Sequence, residues 1–211
     1  MTPQTRVDLD ERLSFHGVSV GAEEGERLAT YNDHLYKWNA RINLTALSPG
    51  RAAIDKLLVE PVLACRWLPR EANHLDIGSG GGSPALPIRA LRPDFRTVLV
   101  ESRTKKAAFL REAARAMGLD GVVVLGKRLE EVGASGDPFS VVTVRAVRID
   151  EALMSHVERL SAASASLWYF GGPDEASVVP RRRWNLFKSY ELLPEKQSRA
   201  MCFTWNSPPG A

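Results

Sequence analysis

Apolar residues recur at helical spacing through the first 70 positions. Leu28, Tyr31, Leu35, Trp38 and Ile42 are separated by 3, 4, 3 and 4 residues, which puts them on one stripe of a helix. The pattern predicts a short helix over 8–20 that ends near Gly17 and a longer one over 22–46. A third is predicted over 51–67, between the Ser48-Pro49-Gly50 break and Pro69. Residues 1–70 are therefore expected to form a helical N-terminal cap.

The periodicity changes near residue 71. Short apolar runs over 73–78, 96–101, 121–126, 139–147 and 165–171 predict five strands. Helical segments lie between them: one ending at 92–94, one over 104–118 that stops at Gly118, and one over 149–160. Strand alternating with helix implies parallel units with right-handed crossovers. The tail runs "LFKSYELL" and "RAMCFTWN" have no helix between them and predict an antiparallel pair at the sheet edge. The expected fold class is α/β. A Rossmann-like, mostly parallel sheet with antiparallel edge strands spans 71–211, behind the helical cap.

Composition narrows the class without naming it. A 211-residue chain that is 44% hydrophobic and 25% charged is neither disordered nor fibrous. Cys65 and Cys202 stand far apart with no C-x-x-C and read as buried thiols in a reducing cytosol. The N-terminal stretch lacks the apolar core of a signal peptide, and no run reaches the roughly 18 apolar residues of a membrane span. The expectation is a cytoplasmic protein without a membrane partner. His16, His34, His74 and His156 form no ligand spacing, so no metal site is expected.

The net charge of +3 is mild. "PRRRWNLFK" over 180–188 sets three arginines and Lys188 around Trp184 and Phe187, types that hold phosphates and stack bases. A solvated basic segment would read the same way. Lys105 and Lys106 open a predicted helix, where their charge opposes the dipole. Phosphate contact or a solvated face would each account for them.

The chemistry concentrates in "LDIGSGGGSPALPIR", 75–89. A glycine-rich turn between the first strand and its helix is where backbone N–H groups meet a ligand. Gly78, Gly80 and Gly82 give G-x-G-x-G, whereas a dinucleotide fold wants its third glycine where Ser83 stands, and the G-K-[ST] of a phosphate loop is absent. With Asp76 two residues before the first glycine, the loop looks like motif I of S-adenosylmethionine-dependent methyltransferases. Glu101 ends the second strand, where an acid can accept both hydroxyls of a ribose. That diol belongs to S-adenosylmethionine and to NAD alike; the glycine spacing favours the former. Asp76 would neutralise the cofactor's amino group or sulfonium, or cap its own turn.

Four further stretches carry a more specific likeness. These are "LYKWNARINLTAL" (35–47), "VESRTKKAAFLREAARAMGL" (100–119), "GKRLEEV" (126–132) and "VVTVRAV" (141–147). Together with the glycine loop they resemble the ribosomal RNA small-subunit methyltransferase G family, also called glucose-inhibited division protein B. The resemblance implies methyl transfer from S-adenosylmethionine to N7 of a guanine in 16S ribosomal RNA, with ribosomal RNA or the small subunit as partner and the chain a monomer. It puts Gly78 and Ser83 against the cofactor, with Asp76, Gly80 and Gly82 in the same loop. Glu101 faces the ribose, Leu129 and Glu130 lie near the adenine, and Arg145 closes the pocket. Arg145 and Arg199 are the candidate catalytic residues, suited to guanine O6 or to phosphate through their fork of donors. Arg145 could equally pair with a carboxylate. Guanine N7 carries a free lone pair, so no essential general base is expected.

The chain departs from the family pattern at several positions. Leu57 and Glu60 replace a His and an Asp in "K-H-x-x-D-S", Val144 replaces the serine of "S-R-A", Phe170 replaces a lysine, and Ser83 replaces a bulky apolar residue. Phe170 would stack on a base or simply pack. These departures keep two alternatives open: a methyltransferase for another RNA or a small molecule, and a non-catalytic RNA- or partner-binding protein that retains the fold.

Overall fold

Seven strands form one sheet in the order β3-β2-β1-β4-β5-β7-β6. The computed structural model describes residues 3–134, 136–172 and 183–205. The strands are β1 (Ala72–Ile77), β2 (Phe95–Val100), β3 (Val122–Leu125), β4 (Phe139–Arg145), β5 (Ser161–Gly171), β6 (Trp184–Leu193) and β7 (Ser198–Trp205). The first five pair in parallel, while β7 runs antiparallel to both β5 and β6. The expected fold class and the antiparallel edge pair are both present. Strand order reverses between β1 and β4, so a crevice opens beyond their carboxyl ends, where α/β sheets place ligands.

The helices are α1 (Pro3–Phe15), α2 (Ala22–Asn39), α3 (Arg51–Ile54), α4 (Glu60–Ala64), α5 (Ala85–Leu91), α6 (Thr104–Ala116) and α7 (Glu151–Leu160). α2 ends seven residues short of the predicted 46. The cause is Asn39, whose Oδ1 accepts from the amides of Leu44 at 2.8 Å and Thr45 at 3.0 Å. Its Nδ2 donates to the Thr45 carbonyl, so one side chain stops the helix and shapes the next loop. The predicted helix over 51–67 is interrupted by a π-helical turn, Asp55–Val59. Pro61 follows one turn on and has no N–H to give to the carbonyls behind it.

The two faces of the sheet bury different cores. One cluster joins Leu9, Leu28, Leu58, Leu86, Phe95, Phe109 and Trp168, so α1 to α6 share a single apolar layer with that face. The other cluster joins Leu75, Val142, Val144, Met154, Val157 and Trp184, with α7 on it. Of the predicted stripe, Leu28, Tyr31 and Leu35 are fully buried, and Trp38 and Ile42 pack at its margin. The Tyr31 hydroxyl crosses from α2 to the glycine loop and donates to the Gly81 carbonyl at 2.6 Å.

Tyr31→Phe removes that donor from the partly buried Gly81 carbonyl. Stability should fall by about 0.5–1.5 kcal/mol in urea unfolding, the net worth of one hydrogen bond. An unchanged midpoint would mean that the bond does not fasten α2 to the loop.

Candidate active site

The crevice at the switch point is a cavity of about 560 Å³, within the range of small-molecule sites. The loop after β1 supplies Gly78 to Gly81 and Ser83, and the end of β4 supplies Arg145, Ala146 and Val147. Glu101 closes the β2 side, and Tyr31 and Leu57 come from the N-terminal helices. Ala146 holds φ +54°, the left-handed region that a side chain rarely adopts. A strained alanine directly after a strand at the switch point marks a constrained site, and nothing in the sequence pattern signals it.

The glycines answer two different demands. A Cβ on Gly78 would come within 2.4 Å of Val147 Cγ2, and one on Gly82 within 2.7 Å of Leu86 Cδ1. One on Gly81 would lie 3.1 Å from the Leu44 carbonyl. These three are small because the protein itself packs against them. Gly80 differs. It sits at φ +52°, and the nearest atom to a Cβ there is the Gly78 carbonyl at 3.6 Å. Its open side faces the cavity, so the bare backbone there is free for a ligand.

Glu101 is almost wholly buried and lines the same wall. Its Oε2 accepts from the Gly80 amide at 2.9 Å and its Oε1 from the Arg103 amide at 2.8 Å. Each oxygen uses one lone pair in this way and keeps another for a ligand hydroxyl.

Arg145 is clamped inside the protein. Its Nη2 pairs with Glu60 Oε2 at 2.7 Å, and its Nη1 donates to the Lys56 carbonyl at 2.6 Å and to Ser83 Oγ at 3.2 Å. The guanidinium lies over the Phe170 ring, 5.0 Å from its centroid. Phe170 is buried beneath it and offers no face to a base. Ser83 Oγ donates to the Leu57 carbonyl at 2.8 Å. Ser83 and Arg145 thus supply donors to carbonyls of the turn that precedes Pro61. Glu60 is completely buried and also takes Lys56 Nζ at 3.1 Å and the Ser198 hydroxyl. Of the two readings of Arg145, the geometry gives the carboxylate pairing.

Several expected site residues do not reach the cavity. Arg145 and Arg199, the two candidate catalytic residues, lie on opposite faces of the sheet. On β7, Ala200 and Cys202 face the layer of α1 to α6, whereas Met201 and Phe203 face α7. Arg199 alternates with the latter set and bonds Ser189 Oγ on β6 at 3.2 Å. Leu129 and Glu130 stand on a 3-10 turn, Leu129–Glu131, outside the cavity lining. Leu129 is spent in the α7-side core, and Glu130 faces solvent. Gly82 packs on Leu86. Of "PRRRWNLFK", residues 180–182 lie outside the described residues; Trp184 is fully buried, and Phe187 is exposed.

Asp76 also stays behind the cavity wall. It is fully buried and accepts from Thr143 Oγ1 at 2.5 Å; Thr143 in turn meets His74 Nε2 at 2.8 Å. Since the Thr143 proton goes to Asp76, Nε2 of His74 is the donor and Nδ1 is free to accept from Thr97. Burial pushes the Asp76 carboxyl up to about 6 and the His74 imidazole down to about 3.

The family model for rRNA small subunit methyltransferase G matches residues 24–192. The chain belongs to this family. It is 33% identical to ribosomal RNA small subunit methyltransferase G 1 of Syntrophobacter fumaroxidans, covering 97% of this chain and 96% of that one. To ribosomal RNA small subunit methyltransferase G of Neisseria gonorrhoeae it is 40% identical, over 66% of this chain and 69% of that one. Its fold is similar to that of an O-methyltransferase from Bacillus cereus in complex with SAH. The TM-score is 0.61 at 17% identity, and 93% of this chain and 96% of that one are covered. A SAM-dependent methyltransferase from Aquifex aeolicus gives a TM-score of 0.60 at 13% identity, over 82% and 98%. The family's glycine loop and acid thus lie together at the switch point, while its two arginines are divided between the sheet faces.

Two outcomes follow from the buried charges. Glu60→Ala leaves Arg145 buried without its partner and should cost about 3–5 kcal/mol in urea unfolding; a cost below 1 kcal/mol would contradict the clamp. At Asp76 the folded chain holds a proton that the unfolded chain has lost between about pH 4 and pH 6. Its contribution to stability is therefore full below the ordinary carboxylate range and lost as pH rises through about 6. Asp76→Asn keeps an acceptor for Thr143 and abolishes that dependence. Stability of the variant minus that of the wild type should rise by about 1.4 kcal/mol per pH unit across this window. A pH-independent difference would show that Asp76 does not titrate there.

Proposed function

We propose that the chain is an S-adenosylmethionine-dependent methyltransferase acting on N7 of a guanine in the RNA of the small ribosomal subunit. The observation that carries this reading is the Gly80 cradle beside Glu101 at the switch point, in a chain of the rRNA small subunit methyltransferase G family. The residues fit the cofactor. Gly80 offers bare backbone, Glu101 keeps lone pairs for the ribose diol, and the cavity has room for a ligand of that size. When bound, S-adenosylmethionine supplies a methyl group on a positively charged sulfur.

The chain's own task is positioning. Guanine N7 needs no deprotonation, and the titratable groups lining the cavity suit that absence of a base. Tyr31 donates to Gly81 and is pushed up by burial, Glu101 is held by two amides, and Arg145 is paired. Rate would come from holding N7 in line with the sulfonium methyl and from excluding water. Arg145 acts through the shape of the wall, by fixing Ser83 and the Lys56 turn. Arg103 and Lys106 line the cavity with side chains that make no hydrogen bond or ion pair among the described residues, and they face the incoming RNA.

Calorimetric titration with S-adenosylmethionine and its demethylated product should show micromolar binding, and unmethylated small subunits should gain a methyl at guanine N7. Gly80→Ala meets no atom closer than 3.6 Å, costs about 1–2 kcal/mol of backbone strain at φ +52°, and fills the cradle; in the folded variant it should weaken cofactor binding at least tenfold. Wild-type affinity in that variant would remove the cradle from the account. No binding by the wild type would favour a non-catalytic role in binding RNA or a protein partner.

A further inference from the structure

Lys37, Arg41, Arg103, Lys105 and Lys106 gather beside the cavity mouth, from the end of α2, the loop after it and the start of α6. None of these five side chains has a hydrogen bond or ion pair among the described residues. Many other cations of the fold are engaged, Arg6, Arg12, Arg27, Arg115, Arg145 and Lys196 with carboxylates, and those among the described residues that are not, Arg70, Lys127, Arg128 and Arg148, line none of these three hollows. An unpaired cluster repels itself, and an anion laid along it would relieve that repulsion.

The surface under the cluster has a shape. A trough of about 370 Å³ shares Arg103 and Lys106 with the cofactor cavity. It shares Arg41, Ile42 and Lys105 with a smaller cleft of about 300 Å³ farther out. The three hollows therefore form one track. No acidic side chain lines the trough or the cleft. The cleft itself is apolar, walled by Trp38 and Ile42 over Ala108, with Lys37, Arg41 and Lys105 at its rim. Trp38 is held edge-on to Phe109, with ring centroids 5.9 Å apart, and is only partly buried.

A flat apolar slot ringed by cations and joined by a cationic trough to a methyl-transfer cavity fits one polymer chemistry. A nucleic acid alternates flat bases with phosphates. The major groove of an RNA duplex is too deep and narrow for side chains to read, so N7 of a paired guanine must leave the helix to react. Stacking a neighbouring base on protein offsets the loss of its own stacking.

Resting on the function proposed above, we infer that the Trp38 cleft receives an unstacked base flanking the target guanine. The phosphates between cleft and cavity then lie on Arg41, Lys105 and Arg103, and the strand runs along the track into the site.

Two variants of the full chain test this. One is the exposed triple change Lys37→Gln, Arg41→Gln, Lys105→Gln. The other is Trp38→Leu, paired with Trp38→Tyr, which restores a stacking face. The probes are a fluorescein-labelled oligouridylate, read by anisotropy, and unmethylated small subunits, read by methyl transfer. The triple variant should bind the oligouridylate at least tenfold more weakly, with the slope of log affinity against log salt reduced by about 1.4 for the two lost phosphate contacts at Arg41 and Lys105. Trp38→Leu should raise KM for subunits about tenfold, as expected for a lost base stack, and Trp38→Tyr should recover most of it. Affinity for S-adenosylmethionine should not change in any of them.

Wild-type methylation of subunits with KM and oligouridylate binding unchanged in both variants overturns the cleft and leaves the function standing. Cleft-dependent oligouridylate binding with no methyl transfer by the wild type overturns the function reading and shows the cleft to be an RNA site of another kind. Self-association that either variant abolishes would assign the cleft to a second copy of the chain and overturn the proposal.

Discussion

The arrangement of the site depends on one buried ion pair, Arg145 with Glu60. Glu60 is fully enclosed, and its partner comes from the far end of β4, 85 residues later in the chain. Removing two charges from water is expensive, and the pair persists only where further bonds satisfy both ends. Here they do so by reaching outward. Arg145 takes in the Lys56 carbonyl and Ser83 Oγ, and Glu60 takes in Lys56 Nζ and Ser198. Four parts of the chain are thereby fixed to one another: the π-helical turn, the glycine loop, the end of β4 and the start of β7. The turn needs such donors because Pro61 cannot supply one. A single proline thus creates the demand that a serine in the glycine loop and an arginine on β4 meet.

The reversal of strand order then decides what the clamp surrounds. β1 and β4 are neighbours whose following loops turn away from each other, and the gap between them is the cavity. The sheet separates the two halves of the protein's task. On the face that carries α1 to α6 lie the clamp, the buried chain of His74, Thr143 and Asp76, and the N-terminal helices whose Tyr31 and Leu57 complete the wall. The opposite face carries α7 and a purely packed layer. Arg199 lies on that second face, a placement that strand alternation dictates once Ala200 and Cys202 are committed to the first.

How much of this was legible in the sequence depends on the range of the interaction. Periodicity located every strand of the parallel sheet and the antiparallel edge pair, because burial on one face or both leaves a local signature. The glycine loop and Glu101 were legible for the same reason: they belong to one strand–turn–helix unit and the strand after it. The end of α2 was misjudged because Asn39 stops it through bonds five and six residues ahead, which apolar spacing does not register. Leu129 and Arg199 came from family motifs, which fix a position in the chain but not the face on which its side chain emerges. Ala146 and the π-helical turn had no signal of their own, since both are imposed by contacts from distant segments.

Except for Val144, which packs in the α7-side core, the departures from the family pattern form one connected set. Ser83 bonds the carbonyl of Leu57 and receives a bond from Arg145; Arg145 pairs with Glu60 and lies over Phe170. A lysine at position 170 would bring a second cation to a guanidinium that has a single carboxylate as partner. A phenyl face there attracts the guanidinium and leaves Glu60 undivided. A bulky apolar residue at position 83 would leave the Leu57 carbonyl without its donor. Each of these residues makes sense given the others, which is the behaviour of a rebuilt structural network. The cradle at Gly80 and the acid at Glu101 take no part in it. The chain has thus changed how the wall is held and, through Ser83 and Leu57, part of the cavity lining itself, while Gly80 and Glu101 stand outside the rebuilt network.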